Sequence, residues 1–301
     1  MKIVQTTHVL EERFGIEKAL EMIAEAGFDG YDFSAFNMLD QNEDIDPTSV
    51  LNGPEYMAWA KNVKAKADSL GIKCYQAHAP FPSSKYDEKF NKEIKQVIIR
   101  SMEIAAYLGA EIIVVHPIQH LPYNANVEKL YELNMEFYKE LIPYCKEFGI
   151  KVATENMWHF DFNRNVCLDS VCTDGREFRK YVDDLNSEYI TACLDIGHCG
   201  LCGRTAQDML RILGGKRIGC LHIHDTDNVH DNHTLPCTMD LDWTDICKTI
   251  AEIGYKGHFT FEADNFLRKY DENDFIPTAL KYMADTAKYL VRKIERFASE
   301  I

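Results

Sequence analysis

The sequence predicts an α/β protein folded as a (β/α)8 TIM barrel, with one domain over residues 1–301. Short β-branched runs alternate eight times with amphipathic helical stretches, at roughly 38 residues per unit, which is typical of such barrels. Polar residues end six of these runs. A doubly wound open sheet is the alternative, but no Gly-x-Gly-x-x-Gly follows the first strand. An open sheet also gathers ligands at one switch point, not from so many strands.

The eight predicted strands are short runs rich in β-branched and aromatic residues. They cover residues 2–7, 28–34, 72–78, 111–117, 150–156, 189–195, 217–224 and 257–263. Each precedes a stretch with helical periodicity. These helices cover residues 16–26, 54–70, 87–108, 126–148, 174–186, 205–213, 242–253 and 275–299.

Glycines at several helix-to-strand joints supply the left-handed conformation that ends a helix. Asp174, and either Asp240 or Asp242, are suited to begin one. The longest irregular segments, 36–53, 156–174 and 225–240, all follow strands. We therefore expect them at the catalytic face, where long loops shape a substrate pocket.

Composition favours a globular protein that does not bind polyanions. Hydrophobic residues make up 46% of the chain and charged residues 27%, while the formal net charge is −15. A nucleic-acid binder usually carries a basic face instead. The start, MKIVQTTHV, lacks a basic-then-apolar signal segment, and no apolar run reaches the roughly 18 residues of a membrane span. We therefore expect a cytoplasmic protein whose ten cysteines are reduced.

Cys199 and Cys202 have the spacing of a redox motif, but they do not open the helix of a thioredoxin-like unit. We expect buried or loop thiols there.

Acidic and histidine residues end the apolar runs at nearly regular intervals. The steps from His78 to His116, Glu155, Asp195, His222 and Glu262 are 38, 39, 40, 27 and 40 residues. Strands five to eight each offer one first-choice ligand: Glu155, Asp195, His222 and Glu262. Each could instead be a capping or paired polar group, but carboxylate and imidazole together suit a divalent ion. We expect Mn²⁺ or Zn²⁺, with Co²⁺, Mg²⁺ or Fe²⁺ possible.

The seventh unit adds further donors. Asp231 and His233 lie two residues apart on an extended loop, so both side chains can reach a shared cation, although a solvated polar loop is the alternative. We expect His224 to lie outside the metal-binding group. Trp158 and His159, directly after the Glu155 strand, are candidates for contacts with the substrate, or for a packed loop cluster.

The motifs HAP, VVHP, TEN, LDIGH, LHIHD, DNH and FEA, in this order, resemble the xylose isomerase-like TIM-barrel superfamily over nearly the whole chain. That superfamily contains sugar phosphate isomerases and epimerases, and the class II AP endonucleases (endonuclease IV, AP endonuclease family 2). The resemblance implies one metal held by Glu155, Asp195, His222 and Glu262. It also implies that Glu155 and Glu262 form the catalytic acid/base pair and that His198 contacts substrate.

The endonuclease IV ligand set would add a second tier of metal or substrate residues. These are His78, His116, His198, Asp231 and His233. The endonuclease motif continues with a Gly/Lys-rich turn, where this chain has Thr234-Leu235-Pro236. The ketohexose 3-epimerases place an arginine where this chain has Asn228.

We therefore expect a metal-dependent isomerase or epimerase of a sugar, sugar phosphate or cyclitol. An inosose dehydratase-like lyase and an endonuclease IV-like phosphodiester hydrolase are the alternatives. Arg268 and Lys269 are the only cations near the end of the eighth strand, and no Gly-rich phosphate cradle follows strand seven or eight, so nonphosphorylated substrates are favoured. The expected partner is a small polyol or sugar, without membrane or nucleic acid. A homo-oligomer is left open.

Overall fold

The computed structural model describes residues 1–301 and contains ten strands, in chain order. They are β1 (Ile3–Thr6), β2 (Gly30–Ser34), β3 (Lys73–His78), β4 (Ile112–Val114), β5 (Lys151–Glu155), β6 (Trp158–Asp161), β7 (Val166–Asp169), β8 (Ile190–Asp195), β9 (Ile218–His222) and β10 (Phe259–Phe261). A short 3-10 helix covers Phe36–Met38.

Eleven α-helices accompany the strands. They are α1 (His8–Phe14), α2 (Ile16–Ala26), α3 (Tyr56–Leu70), α4 (Glu88–Leu108), α5 (Tyr123–Phe148), α6 (Gly175–Leu185), α7 (Ile196–Leu201), α8 (Ala206–Leu213), α9 (Trp243–Glu252), α10 (Asp264–Arg268) and α11 (Ile276–Glu300). None of these helices is long and apolar enough to cross a membrane.

Eight of the strands form one parallel sheet in the order β10-β1-β2-β3-β4-β5-β8-β9. A parallel bridge between Ile223 and Phe261 joins the two ends of this sheet. Two backbone hydrogen bonds support the joint: Ile223 N donates to Thr260 O at 2.9 Å, and Glu262 N donates to Ile223 O at 3.2 Å. The predicted eight-stranded barrel is confirmed.

Helix boundaries follow the predicted capping chemistry. Asp174 accepts hydrogen bonds from two backbone N–H groups at the start of α6, and Asp242 does the same for α9, so Asp242 and not Asp240 is the cap. Gly109 and Gly149 end α4 and α5 with φ of 106° and 72°. These left-handed conformations favour glycine, because a Cβ there would clash with the backbone.

The segments after the strands contain more regular structure than the sequence predicts. Helices α1, α7 and α10 are 7, 6 and 5 residues long, too short for a helical period to be recognised. The segment 156–174, predicted as irregular, contains the antiparallel hairpin β6–β7, in which Asp161 pairs with Val166. Its four-residue strands are likewise shorter than a sequence pattern resolves.

The core has two parts, and their arrangement leaves the site at one end of the barrel. A large apolar cluster fills the space between the helices and the outer wall of the barrel. A small cluster of Val114, Ala153, Cys193 and Cys220 forms a separate apolar group on β4, β5, β8 and β9. The polar residues that follow on these strands therefore lie at the carboxyl end, where barrel enzymes have their active sites.

All ten cysteines are free. Cys199 is buried and donates to Asp195 O at 3.2 Å, while Cys202 is partly buried.

Candidate metal centre

The four first-choice donors meet around one imidazole nitrogen. His222 Nδ1 lies 3.0 Å from Glu155 Oε1, 3.0 Å from Glu262 Oε2 and 3.9 Å from Asp195 Oδ2. Glu155, Asp195 and His222 end strands β5, β8 and β9, and Glu262 directly follows β10. Parallel strands bring these ends to the same side of the barrel, so residues far apart in sequence form one group.

Three carboxylates around one imidazole concentrate negative charge in a buried place. Burial alone would raise the pKa of the Glu155 carboxyl, but the imidazoles of His222 and His116 outweigh it and hold this pKa well below its usual value. Burial opposes ionisation of Glu262 in the same way, and His222 again lowers the pKa. Carboxylates that stay ionised while buried require a cation or protonated imidazoles beside them.

A second donor group lies on the other side of Asp195. It contains His198, His224, Asp231 and His233, whose donor atoms lie within 4.8 Å of one another. Asp231 Oδ2 is 2.9 Å from His233 Nε2 and 3.6 Å from His198 Nε2. The loop therefore brings Asp231 and His233 to the strand ends, as the sequence predicts.

The expectation that His224 lies outside the group is wrong. Its Nε2 is 3.0 Å from Asp195 Oδ1, and its ring stacks on that of His233 at 3.9 Å between centroids. Residues two apart in an extended chain project to the same side, so His224 follows His222 towards the site. That spacing was the signal that could have found it.

A third donor group contains His78, His116 and Glu155. Glu155 Oε2 lies 3.2 Å from His116 Nε2 and 3.8 Å from His78 Nε2. Glu155 thus belongs to the first and third groups, and Asp195 belongs to the first and contacts His224 of the second. The nine predicted donors and His224 therefore form one continuous cluster.

The unpartnered atoms of this cluster fit divalent cations. Glu155 Oε2, Asp231 Oδ1 and His78 Nε2 are buried without hydrogen-bond partners. Buried polar atoms rarely stay unpaired unless an ion or water satisfies them. Mixed carboxylate and imidazole donors suit Zn²⁺, Mn²⁺, Co²⁺ or Fe²⁺.

The histidine rings are oriented as in metal sites. Nδ1 of His78, His198 and His233 lies 2.9, 2.9 and 2.8 Å from the backbone oxygens of Ala79, Asn156 and Glu262, respectively. A proton on Nδ1 leaves Nε2 free to face the donor groups, which is the usual arrangement around a bound metal.

His222 is turned the other way, so its Nε2 points towards Asp32 Oδ2 at 4.0 Å. Asp32 is a buried carboxylate within β2 to which the sequence assigned no role. Burial raises the pKa of Asp32 to about 7, against the opposing effect of His222. Gln76 Nε2 donates to Asp32 Oδ2 at 2.9 Å, and Thr260 Oγ1 donates to Gln76 Oε1 at 3.0 Å. This buried chain holds Asp32 behind the His222 ring.

The family assignment follows from this geometry and from the match of the chain to known proteins. Residues 20–286 match the family described as "Xylose isomerase-like TIM barrel". The chain belongs to this family. An uncharacterised relative from Methanocaldococcus jannaschii is 25% identical over 279 residues, which cover 85% of each protein. The resemblance predicted from the motifs is confirmed.

Similar solved structures include sugar epimerases, an epimerase-like protein and IolI. A D-tagatose 3-epimerase-like protein has a TM-score of 0.74 at 21% identity, covering 100% of this chain and 99% of that one. IolI with a bound zinc atom has a TM-score of 0.70 at 19% identity, again over 100% and 99% of the two chains. A 3-keto-D-glucoside 4-epimerase from E. coli has a TM-score of 0.72 at 15% identity, covering 97% and 99%. At identities this low, the structural similarity establishes a shared fold alone.

The residues at the mouth differ in how close they come to the donor groups. Trp158 lies edge-on to His198, at 6.3 Å between ring centroids. His159 is exposed and alternates with Trp158 along β6, so the structure does not bring it to the same face. Arg268 is paired with Glu12 at 2.7 Å, and Asn228 lies in the loop after β9, where its N–H donates to Thr226.

Proposed function

We propose that the protein is a divalent-metal-dependent isomerase or epimerase of a small polyhydroxylated carbonyl compound. The observation that carries this proposal is the position of Glu155 and Glu262, whose oxygens both lie 3.0 Å from His222 Nδ1. Glu155, Asp195, His222 and Glu262 would hold the ion, with Mn²⁺ or Zn²⁺ favoured over Co²⁺, Mg²⁺ or Fe²⁺. When bound, it would polarise the substrate carbonyl and make the neighbouring carbon more acidic.

The two glutamates would carry the proton. One removes it from the carbon beside the carbonyl, and the other returns it, on the opposite face for an epimerase. Glu262 keeps 14% of its side chain exposed and lines a cavity of about 200 Å³ at the mouth, so it is reachable from outside. Glu155 is only 1% exposed and needs the substrate to enter the cluster.

With a single bound ion, His198 and Trp158 would bind the substrate beside this pair. Burial would lower the pKa of His198, but the carboxylates of Asp195 and Asp231 raise it to about 10. A protonated imidazole can donate a hydrogen bond to a substrate oxygen. The Trp158 indole can cover the apolar face of a sugar, while contact with His159 stays a prediction.

The second-tier donors would hold further ions. These residues are ligands or substrate contacts according to the number of ions that bind. A second ion would be held by His198, Asp231 and His233 together with His224, and a third by His78 and His116 with Glu155. These assignments also support the rival hydrolytic activity on abasic DNA, since three ions side by side suit phosphodiester cleavage. The net charge of −15 and the pairing of Arg268 with Glu12 oppose it, because DNA binding relies on free basic side chains.

Deuterium incorporation tests the proton transfer directly. Metal-loaded protein is incubated in D₂O with a panel of ketoses and cyclitol ketones, and products are analysed by mass spectrometry and NMR. We expect deuterium at the reacting carbon, abolished by Glu262→Gln and retained by Glu136→Gln, an exposed glutamate on α5. Turnover without deuterium would refute the mechanism. A dehydrated product would assign the lyase reaction, which shares the first step.

The number of bound ions and the affinity for DNA distinguish the hydrolase from the isomerase. We expect no salt-sensitive binding to duplex DNA that contains an abasic site. Cleavage of that DNA with three bound ions would replace the isomerase proposal. The cytoplasmic location, the single domain over residues 1–301 and the oligomeric state stay predictions.

A further inference from the structure

Two cavities open at the mouth of the metal centre and share part of their walls. The smaller one, of about 200 Å³, reaches Glu262 and His233. The larger one, of about 720 Å³, extends along α1 and the loop after β2. His8 and Phe36 line both cavities. The larger volume lies in the range of small-molecule sites, whereas the smaller one alone lies below it.

The larger cavity also touches the donor cluster through its aromatic walls. The Phe36 ring lies 4.6 Å from that of His78, and the Phe81 ring lies 4.5 Å from that of His116, between centroids. The His8 and Phe36 side chains therefore form the wall between a molecule bound at the metal centre and a group in this cavity. The two cavities adjoin along this wall.

The walls of the larger cavity suit a neutral, hydroxyl-rich group. Three half-buried aromatic rings, those of Phe36, Trp59 and Phe81, offer flat faces for the C–H side of a sugar ring. Asn37 and Gln41 line it with amide donors and acceptors, and neither lysine nor arginine is among its sixteen lining residues. A phosphate would meet several carboxylates without a lysine or arginine beside them, which like-charge repulsion disfavours.

Glu11 adds a hydrogen-bonding group of variable charge. Its Oε1 accepts from Asn37 Nδ2 at 2.8 Å. Burial raises the pKa of Glu11 to about 7, so near neutral pH its carboxyl can donate to a hydroxyl as well as accept. This supports a sugar hydroxyl as the neighbour better than it supports an anion.

We propose that this larger cavity is a glycosyl subsite, so that the substrate is a glycosylated carbonyl sugar and not a free monosaccharide. The inference rests on the proposed function, since the reacting sugar is placed at the metal centre. The second sugar ring then lies against Phe36, Trp59 and Phe81.

Binding of matched sugars tests the subsite without requiring turnover. The probes are D-fructose and its glucosylated forms at O3, O4 and O6 (turanose, maltulose and isomaltulose), titrated calorimetrically into metal-loaded protein. We expect at least one glucosylated form to bind about tenfold more tightly than fructose, the equivalent of about 1.4 kcal/mol. Fructose 6-phosphate should bind no more tightly than fructose.

Variants locate the effect. Trp59→Ala and, separately, Asn37→Ala should remove the preference for the glucosylated sugar and leave fructose affinity unchanged. Tyr289→Ala, which removes an exposed aromatic ring on α11, should change neither affinity. Equal binding of all probes to the wild-type protein, tighter binding of the phosphate ester, or equal losses for both sugars in Trp59→Ala would each overturn the subsite.

The two proposals fail in different ways. A retained preference for the glucosylated sugar without deuterium exchange on any substrate would sink the proton-transfer function alone. Deuterium exchange on free ketoses without a glycosyl preference would sink the subsite alone. Failure of every sugar to bind would overturn both.

Discussion

Replacing Asp32 by asparagine tests whether the cluster is built for metal. His222 directs Nδ1 at the carboxylates. When Nδ1 binds an ion, the neutral ring carries its proton on Nε2, which lies 4.0 Å from Asp32 Oδ2. Both Nε2 and Asp32 Oδ1 are buried without partners. A carboxylate behind a metal-bound histidine fixes its tautomer and makes the ring a better ligand. Asp32→Asn keeps the shape and removes this charge.

The size of the effect can be bounded from this distance. Two unit charges 4 Å apart interact by about 4 kcal/mol at an effective dielectric constant of 20. The charge of a bound ion is spread over all its ligands, so Asp32 would experience only a part of it through the ring. Loss of such an outer partner typically lowers metal affinity about 10- to 100-fold, the equivalent of about 1.4–2.7 kcal/mol. We expect a loss in this range for Asp32→Asn.

The assay is competition with a chromophoric chelator at pH 8. Burial raises the pKa of Asp32 to about 7, so the wild-type carboxyl is mostly ionised at that pH. The ¹⁵N shifts of His222 give a second readout, because they report which nitrogen carries the proton. Thr191→Val, which removes a hydroxyl that donates to Arg217 O near the start of β8, four residues before Asp195, is the control. Unchanged affinity and an unchanged His222 tautomer in Asp32→Asn would refute the reasoning.

Three further outcomes are expected. Removing bound ions with a chelator should lower the melting temperature by about 5 °C, since a ligand at 100 times its Kd stabilises the folded protein by about 2.7 kcal/mol. Scanning fluorimetry with and without Mn²⁺ measures this shift, and an unchanged melting temperature contradicts the prediction. His224→Asn should lower the affinity for a second ion about tenfold and leave the binding of the first ion unchanged. Metal analysis after dialysis against defined metal concentrations measures both, and equal occupancy in the variant and the wild type excludes His224 as a ligand. Burial raises the pKa of Glu11 from 4.5 to about 7, so its stabilising contribution is complete below about pH 4.5 and is lost as the pH rises through 7. Glu11→Gln should therefore melt at a higher temperature relative to wild type at pH 8.5 than at pH 5, and parallel pH profiles would contradict this.

The four central donors could be predicted because their positions follow from strand direction alone. Glu155, Asp195, His222 and Glu262 each end or directly follow an apolar strand, and a barrel brings all such ends together. Predicting that these four residues converge requires the number and direction of the strands, and no knowledge of individual tertiary contacts.

The loop donors depend on contacts that no sequence pattern reveals. The loop carrying Asp231 and His233 is held by Asp225, which is completely buried. Asp225 accepts hydrogen bonds from the backbone N–H groups of Thr226, Thr238, Met239 and Leu241, and from Trp243 Nε1. These partners lie up to 18 residues away. The acidic residues of this loop therefore have different tasks, although they look alike in sequence.

Asp32 was missed for a different reason. It lies inside the predicted strand 28–34, whereas the predicted donors lie at strand ends. A carboxylate in the middle of an otherwise buried strand is itself a signal, because its burial is costly unless a partner compensates it. Here the partner is His222, and only the barrel geometry identifies it.

The charges of the cluster couple metal binding to the release of protons. The carboxylates of Glu155, Asp231 and Glu262 keep lowered pKa values, while those carboxylates raise the pKa of His222 and His233 well above the usual value, against the effect of burial. Without metal these imidazoles therefore carry protons at pH 7, yet a histidine ligand must be deprotonated. Metal binding must then release protons, and the affinity must rise with pH. Calorimetry in two buffers with different ionisation enthalpies counts the protons released per ion. A count of zero would mean that the imidazoles are neutral before metal binding. It would refute the explanation that protonated imidazoles stabilise the ionised carboxylates of the cluster.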